Sequence, residues 1–78
     1  MIVVYAIYNT SYGEIYVGMT NNLKRRLKEH ARGQTKYTRK FSNFNLIFTE
    51  EFEDYKIARR KEKYLKSGCG KEFLKTLI

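Results

Sequence analysis

The segment that most constrains the fold of this 78-residue chain is its first 20 residues. Ile2–Tyr8 is a run of β-branched and aromatic residues, which is typical of a buried strand. Glu14–Thr20 alternates with the two-residue period of a second strand, and the residues between the two runs have the composition of a turn. The segment therefore predicts an antiparallel β-hairpin.

The register of this hairpin decides which side chains share a face. We expect Asn9 to pair with Glu14, so that Tyr5 and Tyr16 project from the same face and Gly18 leaves room beside the Tyr5 ring. The two tyrosines are then either part of a functional site or ordinary residues of an amphipathic sheet. The other face is predicted to be core, with Val4, Ala6, Ile15, Val17 and Met19.

The remaining residues predict helices around one further strand. A first helix is expected to begin at Leu23, with Asn21 or Asn22 as its cap, and to end at Gly33, and a basic loop over 34–43 follows it. The third strand is expected over Phe44–Phe52. A second helix should then run from an Asp54 cap to about Ser67, with Gly68 as its stop, before a short last helical turn over 72–77. The fold class is α+β, a three-stranded antiparallel sheet flanked by helices in the order β-β-α-β-α-(short α). We expect one domain over residues 1–78.

Apolar spacing predicts the buried side of each later element. We expect the first helix to bury Leu23, Leu27 and Ala31, and the second to bury Ile57, Ala58, Tyr64 and Leu65. One face of the third strand is predicted to carry Phe44, Leu46, Phe48 and Phe52.

The net charge of +8 is concentrated in two parts of the chain. Residues 21–40 hold eight Lys and Arg against one Glu, and residues 55–78 hold eight against two acids. Such clusters indicate a polyanionic partner, and Tyr37 within the first, with Phe41 directly after it, favours nucleic acid over a solvated basic face or an anionic membrane. The expected nucleic-acid-binding residues are Lys24, Arg25, Lys28, Lys36, Tyr37, Arg39 and Lys40.

Three further side chains have the chemistry of a phosphate site. Arg26 and His30 lie one helical turn apart beside the apolar stripe, where a phosphate suits the guanidinium. The alternatives are aliphatic packing for Arg26 and a helix-end hydrogen bond for His30. Glu62, on the second helix, is either a ligand for Mg²⁺ or the partner of Lys66 in an i, i+4 ion pair.

Several other classes are excluded by composition. No apolar run approaches the roughly 18 residues of a membrane span. One Cys and one His cannot build a disulfide or a zinc site. We therefore expect a cytoplasmic protein without a membrane partner. The sequence leaves the oligomeric state open, and a monomer in solution is the favoured expectation.

The order of these residues resembles the GIY-YIG nuclease family over essentially the whole chain. Val3-Val4-Tyr5 stands where the family has Gly-Ile-Tyr, and Tyr16-Val17-Gly18 stands where it has Tyr-Ile-Gly. Arg26, His30 and Glu62 follow in the family's order and spacing.

The resemblance implies a divalent-metal-dependent endonuclease that hydrolyses phosphodiester bonds in DNA, with a role in repair or recombination. It implies that Glu62 binds Mg²⁺ or Mn²⁺ and that Arg26 stabilises charge on the phosphate. Tyr5 and Tyr16 would position or activate water, and His30 would assist proton transfer or hold a tyrosine. The alternatives are a non-catalytic nucleic-acid-binding module on the same scaffold and a basic protein-interaction domain.

Overall fold

A computed structural model describes residues 1–10, 12–32 and 44–78 of the chain. The element order within these ranges is β-β-α-β-α-α, and the sheet is antiparallel with the strand order β2-β1-β3. The predicted α+β class is therefore confirmed. The elements are β1 (Ile2–Asn9), β2 (Glu14–Thr20), α1 (Leu23–Ala31), β3 (Phe44–Phe52), α2 (Tyr55–Lys66) and α3 (Gly68–Lys75). The predicted loop over 34–43 lies outside the described residues.

The hairpin has the predicted register. Asn9 pairs with Glu14, and Tyr5 pairs with Gly18, so the two tyrosines share a face. Gly13 closes the turn with a φ of 68°, a backbone conformation that glycine adopts without steric cost. The hairpin therefore places the side chains of Tyr5 and Tyr16 side by side.

Each face of the sheet packs against a different helical layer. On one face, the buried cluster contains Val4, Ala6 and Val17 of the hairpin together with residues of α2 and α3. On the other, Tyr5 and Ile7 are fully buried and are packed by side chains of α1, Tyr16 and Phe44. Tyr5 and Tyr16 therefore lie on the face that α1 covers, and α2 lies on the opposite face.

The prediction that the aromatic residues of β3 share one face is wrong. Ala6 pairs with Phe48, whereas the next residue of β1 pairs with Leu46, so Ile47 is an extra residue in β3. This bulge reverses the alternation of the strand. Phe44 consequently packs beside Tyr5, while Phe48 and Phe52 pack in the Val4 cluster.

The predicted boundary after α2 is also wrong. Gly68 does not stop a helix but begins α3, which starts four residues before the predicted turn. Ser67 ends α2, and its hydroxyl accepts a hydrogen bond from the Gly70 amide, so this residue caps the next helix. A Cβ at Gly70 would collide with the Tyr64 carbonyl and the backbone of Leu65, so glycine permits the close approach of the two helices.

Two predicted buried faces need correction. In α1, Ala31 is exposed and His30 takes the buried position instead. In α2, Ile57 and Tyr64 are exposed, and the buried residues are Ala58, Glu62 and Leu65. The buried side of each helix thus includes a polar residue that the apolar spacing did not predict, His30 in α1 and Glu62 in α2.

Candidate active site

A buried hydrogen bond joins β1 to α1. The phenol oxygen of Tyr5 lies 2.6 Å from Nε2 of His30, and both side chains are fully buried. The rings of Tyr16 and Phe44 surround the imidazole, with centroids 5.0 Å and 6.3 Å from that of His30. The imidazole is therefore held in place by aromatic contacts as well as by the phenol.

Helix α1 has the local sequence needed to present His30 and Arg26 to the sheet. The side chain of Asn22 accepts a hydrogen bond from the Arg25 amide and so caps the helix at its start. Leu23 and Leu27 then pack against Tyr5 and Ile7. Arg26 and His30 lie three residues after Leu23 and Leu27, at neighbouring positions on the helix surface, so both side chains lie near the tyrosines.

Arg26 lies at the edge of this cluster, with its side chain 32% exposed. Its guanidinium interacts with the phenols of Tyr5 and Tyr16, and its Nη1 donates to Oε1 of Glu29 at 3.1 Å. The hydrogen bond with Tyr5 is the main reason why the pKa of Arg26 is raised, so the group stays charged. The structure thus brings Tyr5, Tyr16, Arg26 and His30 together.

Burial disfavours the charged forms of the two central groups of the cluster. It raises the pKa of Tyr5 to about 12, against the opposing effect of Arg26. It also lowers the pKa of His30 to about 4, and the charge of Arg26 acts in the same direction. The Tyr5–His30 contact is therefore a hydrogen bond between an uncharged phenol and an uncharged imidazole near neutral pH.

Gly18 makes room for the Tyr5 ring, as predicted. A Cβ at this position would lie 2.8 Å from the phenol oxygen of Tyr5 and 3.0 Å from Cε1 of Tyr16. A side chain at this position would therefore overlap the Tyr5 ring and crowd the Tyr16 ring, so one or both rings would have to shift. The glycine is thus a requirement of the site rather than of the turn or the strand.

Glu62 lies on the other helical layer. Glu62 is buried, with 6% of its surface exposed. Its Oε1 accepts a hydrogen bond from Nη1 of Arg59 at 2.8 Å, and its Oε2 lies 3.4 Å from Nζ of Lys66. The ion pair with Lys66 that the spacing suggested is therefore present. Among the described contacts, none joins Glu62 to Tyr5 or to Arg26.

A divalent cation of the kind that the resemblance implies would depend on few protein ligands. Within residues 1–10, 12–32 and 44–78, no three His, Cys, Asp or Glu side chains form a group able to hold a metal. A single carboxylate still fits Mg²⁺, which keeps several waters and takes further oxygens from substrate phosphates. Glu62 is the buried carboxylate available for this role, and its chemistry fits the ion.

The predicted nucleic-acid-binding residues fall into two groups. Lys24, Arg25 and Lys28 are exposed on α1, on the side of the helix that points away from the sheet. Lys36, Tyr37, Arg39 and Lys40 lie outside the described residues. The described part of the candidate surface is therefore the outer side of α1.

Sequence reasoning missed two partners of the candidate residues. Glu29 contacts Arg26, and Arg59 contacts Glu62. Both pairs are three residues apart on one helix, a spacing at which opposite charges are neighbours. The three-residue spacing of opposite charges would have predicted both ion pairs.

Comparison with known proteins identifies relatives over most of the chain. The family model described as the GIY-YIG catalytic domain matches residues 1–73. A UPF0213 protein of Autographa californica nuclear polyhedrosis virus is 40% identical over 85% of this chain and 65% of its own length. A UPF0213 protein of Limosilactobacillus reuteri is 37% identical over 96% of this chain and 80% of its own length. The chain spans less than two thirds of the length of the first several curated relatives that it matches.

A solved structure is similar in both sequence and fold. The solution NMR structure of a UPF0213 protein from Bacillus halodurans is 37% identical, with a TM-score of 0.59, and the match covers 99% of this chain and 85% of that one. In the described part of the present chain, no helix is long and apolar enough to cross a membrane. The match of the family model to nearly the whole sequence shows that the chain belongs to the GIY-YIG family.

Proposed function

We propose that this chain is a divalent-metal-dependent endonuclease that hydrolyses phosphodiester bonds in DNA with little sequence preference. GIY-YIG is a nuclease family, and the match covers residues 1–73. The observation that carries the proposal is the cluster in which Arg26 contacts two phenols and Tyr5 is hydrogen bonded to His30. We place the activity in DNA repair or recombination.

Arg26 is the residue that we assign to the phosphate. Its guanidinium is charged, partly exposed and held by Tyr5, Tyr16 and Glu29, so it does not need to be ordered when the substrate arrives. A cation fixed in this way stabilises the negative charge that grows on a phosphate in the transition state. Tyr16, half-buried beside it, positions the attacking water.

Tyr5 and His30 support these two groups. A phenol with a pKa near 12 is a poor proton acceptor at neutral pH, so Tyr5 orients Arg26 and Tyr16 through its hydrogen bonds rather than by removing a proton. His30, uncharged and fully buried, holds the Tyr5 phenol.

Glu62 is the residue that would hold the metal ion. When bound, a divalent cation polarises a phosphate oxygen and so assists hydrolysis. Strand β2 is the element common to both sides of the proposed site, since it carries Tyr16 and Gly18 and α2 packs against it. For Arg26 and Glu62 to act on one phosphate, the substrate would have to reach both sides of this edge of the sheet.

The basic surface supports DNA as the substrate and a weak dependence on sequence. Lys24, Arg25 and Lys28 are exposed on the outer side of α1, the helix that carries Arg26, and exposed lysine and arginine bind the phosphate backbone. Contacts to phosphates carry no sequence information, so we expect cleavage at many positions.

One observation favours a second candidate, a non-catalytic nucleic-acid-binding module. The Glu62 carboxylate is already neutralised by Arg59 and Lys66 and lies on the helical layer opposite to the tyrosines. Such a module would have the same basic surface and would need no metal.

The two candidates differ in the fate of a supercoiled plasmid. The nuclease nicks the plasmid in Mg²⁺ or Mn²⁺ and is blocked by EDTA, whereas the binding module retards the plasmid on a gel and leaves it intact. Glu62→Gln should abolish nicking and leave the fold unchanged. Glu72→Gln is the matched control, because Glu72 is exposed on α3 and contacts Lys75. Full activity of Glu62→Gln would overturn the assignment of Glu62.

A further inference from the structure

The outer face of α2 carries a row of cations. Lys56, Arg60 and Lys63 are all exposed and are spaced by four and three residues, so they lie on consecutive turns of one side of the helix. At about 100° per residue, they fall within an arc of about 60°. The buried residues Ala58 and Leu65 lie on the opposite side of the helix, against the sheet.

These three cations do not stabilise the chain by themselves. Among the described residues, none of them has an ion-pair partner, whereas Arg59 and Lys66 on the flank of the row are paired with Glu62. Like charges at this spacing repel each other on a helix surface. Lys56 also lies in the first turn of α2, where the helix dipole disfavours positive charge. A row that costs stability points to a partner that neutralises it.

The dimensions of the row match a nucleic-acid strand. From Lys56 to Lys63 the helix rises about 10.5 Å, at about 1.5 Å per residue. Phosphates of one strand of a duplex are spaced by about 3.4 Å along its axis, so the row covers about three phosphate steps. A membrane surface fits less well, because the strongly buried side of this helix packs on the sheet and is not available to insert into lipid.

We infer that Lys56, Arg60 and Lys63 form a second docking surface for the phosphate backbone of nucleic acid. This surface lies on the opposite side of the sheet from the exposed cations of α1, which the proposed function already assigns to DNA. The inference rests on that proposed function for the class of partner. The chain thus presents nucleic-acid-binding cations on both of its helical layers.

The test measures how DNA affinity depends on salt. A fluorescent duplex oligonucleotide is titrated with the whole chain in EDTA, where the proposed nuclease is inactive, at several salt concentrations. The double variant Arg60→Gln/Lys63→Gln should lower the log–log salt slope by about 2, since each neutralised phosphate contributes about 0.9. Thermal unfolding should show that this variant is folded, because the substitutions remove a repulsion.

The matched control removes the same charge from α3. Lys71 and Lys75 are exposed there, and Lys75 contacts Glu72. The variant Lys71→Gln/Lys75→Gln should keep the salt slope of the wild type. An equal fall in both double variants would show an effect of net charge alone and would overturn the inference.

Three other results are informative. If the wild type binds DNA with a steep salt slope and Arg60→Gln/Lys63→Gln has the same slope, the second surface is wrong while the proposed function stands. If the wild type does not bind DNA at all, both fail. If the double variant instead loses binding to phosphatidylserine vesicles with its DNA slope unchanged, the row is a membrane contact and the inference is overturned.

Discussion

The hydroxyl of Tyr5 and the imidazole of His30 form a 2.6 Å hydrogen bond between the central strand and the first helix, with both side chains inaccessible to solvent. Near neutral pH the phenol keeps its proton and the imidazole is uncharged, so the bond fixes the relative position of two neutral groups. The bond connects the sheet to the helix that carries Arg26. Losing it should therefore affect both the free energy of unfolding and the position of Arg26.

Removing the Tyr5 hydroxyl should destabilise the protein. Tyr5→Phe leaves Nε2 of His30 without this buried partner, which costs about 1–3 kcal/mol of the free energy of unfolding. Tyr8→Phe is the control, since Tyr8 is half-buried on the opposite face of β1. Urea unfolding of both variants checks the difference, and a loss in Tyr5→Phe no larger than in the control would contradict it.

His30 should titrate far below the ordinary range of a histidine. Burial lowers its pKa to about 4 from the usual 6.5. His30 is the one histidine of the sequence, so its ring proton resonances can be followed by NMR without ambiguity. A midpoint near 6.5 would show that the imidazole is exposed and would contradict the buried hydrogen bond.

The same shift predicts a pH dependence of stability. Between pH 4 and 6.5 the unfolded chain binds a proton at His30 that the folded chain does not bind. The free energy of unfolding therefore rises with pH through this window, by at most about 1.4 kcal/mol per pH unit from this group. His30→Gln should remove that contribution, which urea unfolding of both proteins across the window measures. Equal pH slopes for the two proteins would be inconsistent with it.

Gly18→Ala should disturb the site and the fold together. The new methyl group would lie 2.8 Å from the Tyr5 hydroxyl, and overpacking of this kind costs about 1–3 kcal/mol. Gly68→Ala is the matched control, because a Cβ there meets nothing within 4 Å and alanine favours a helix. Thermal unfolding should show a lower midpoint for Gly18→Ala alone. Equal midpoints would mean that the Tyr5 ring can move aside.

The hairpin was predictable because its two faces differ in character. A shift of one residue would have moved Tyr5 away from Tyr16 and buried polar atoms in the apolar cluster, so the pattern permitted a single register. The capping asparagine of α1 and the capping aspartate of α2 were predictable for a local reason, since each side chain bonds to a nearby amide.

The wrong predictions concern features that depend on contacts between segments rather than on the local sequence. The bulge at Ile47 depends on how β3 fits both helical layers, and nothing in the strand's own residues marks it. Gly68 has the usual signature of a helix end, but Ser67 caps a new helix there and Gly70 allows close packing. The burial of His30 and Glu62 in place of Ala31 and Tyr64 depends on partners from distant or neighbouring segments that satisfy the polar groups.

The most direct test of the proposed catalytic cluster is plasmid nicking by Arg26→Ala compared with Arg25→Ala. The two arginines are adjacent and carry the same charge, but Arg26 contacts Tyr5 and Tyr16 whereas Arg25 is exposed on the outer side of α1. At saturating DNA we expect Arg26→Ala to lose metal-dependent nicking by at least about 100-fold, the usual effect of removing a group that stabilises transition-state charge. Arg25→Ala removes one contact to the phosphate backbone, so it should weaken binding and keep most of the nicking rate. Similar nicking rates in the two variants would contradict the assignment of the cluster as the active site.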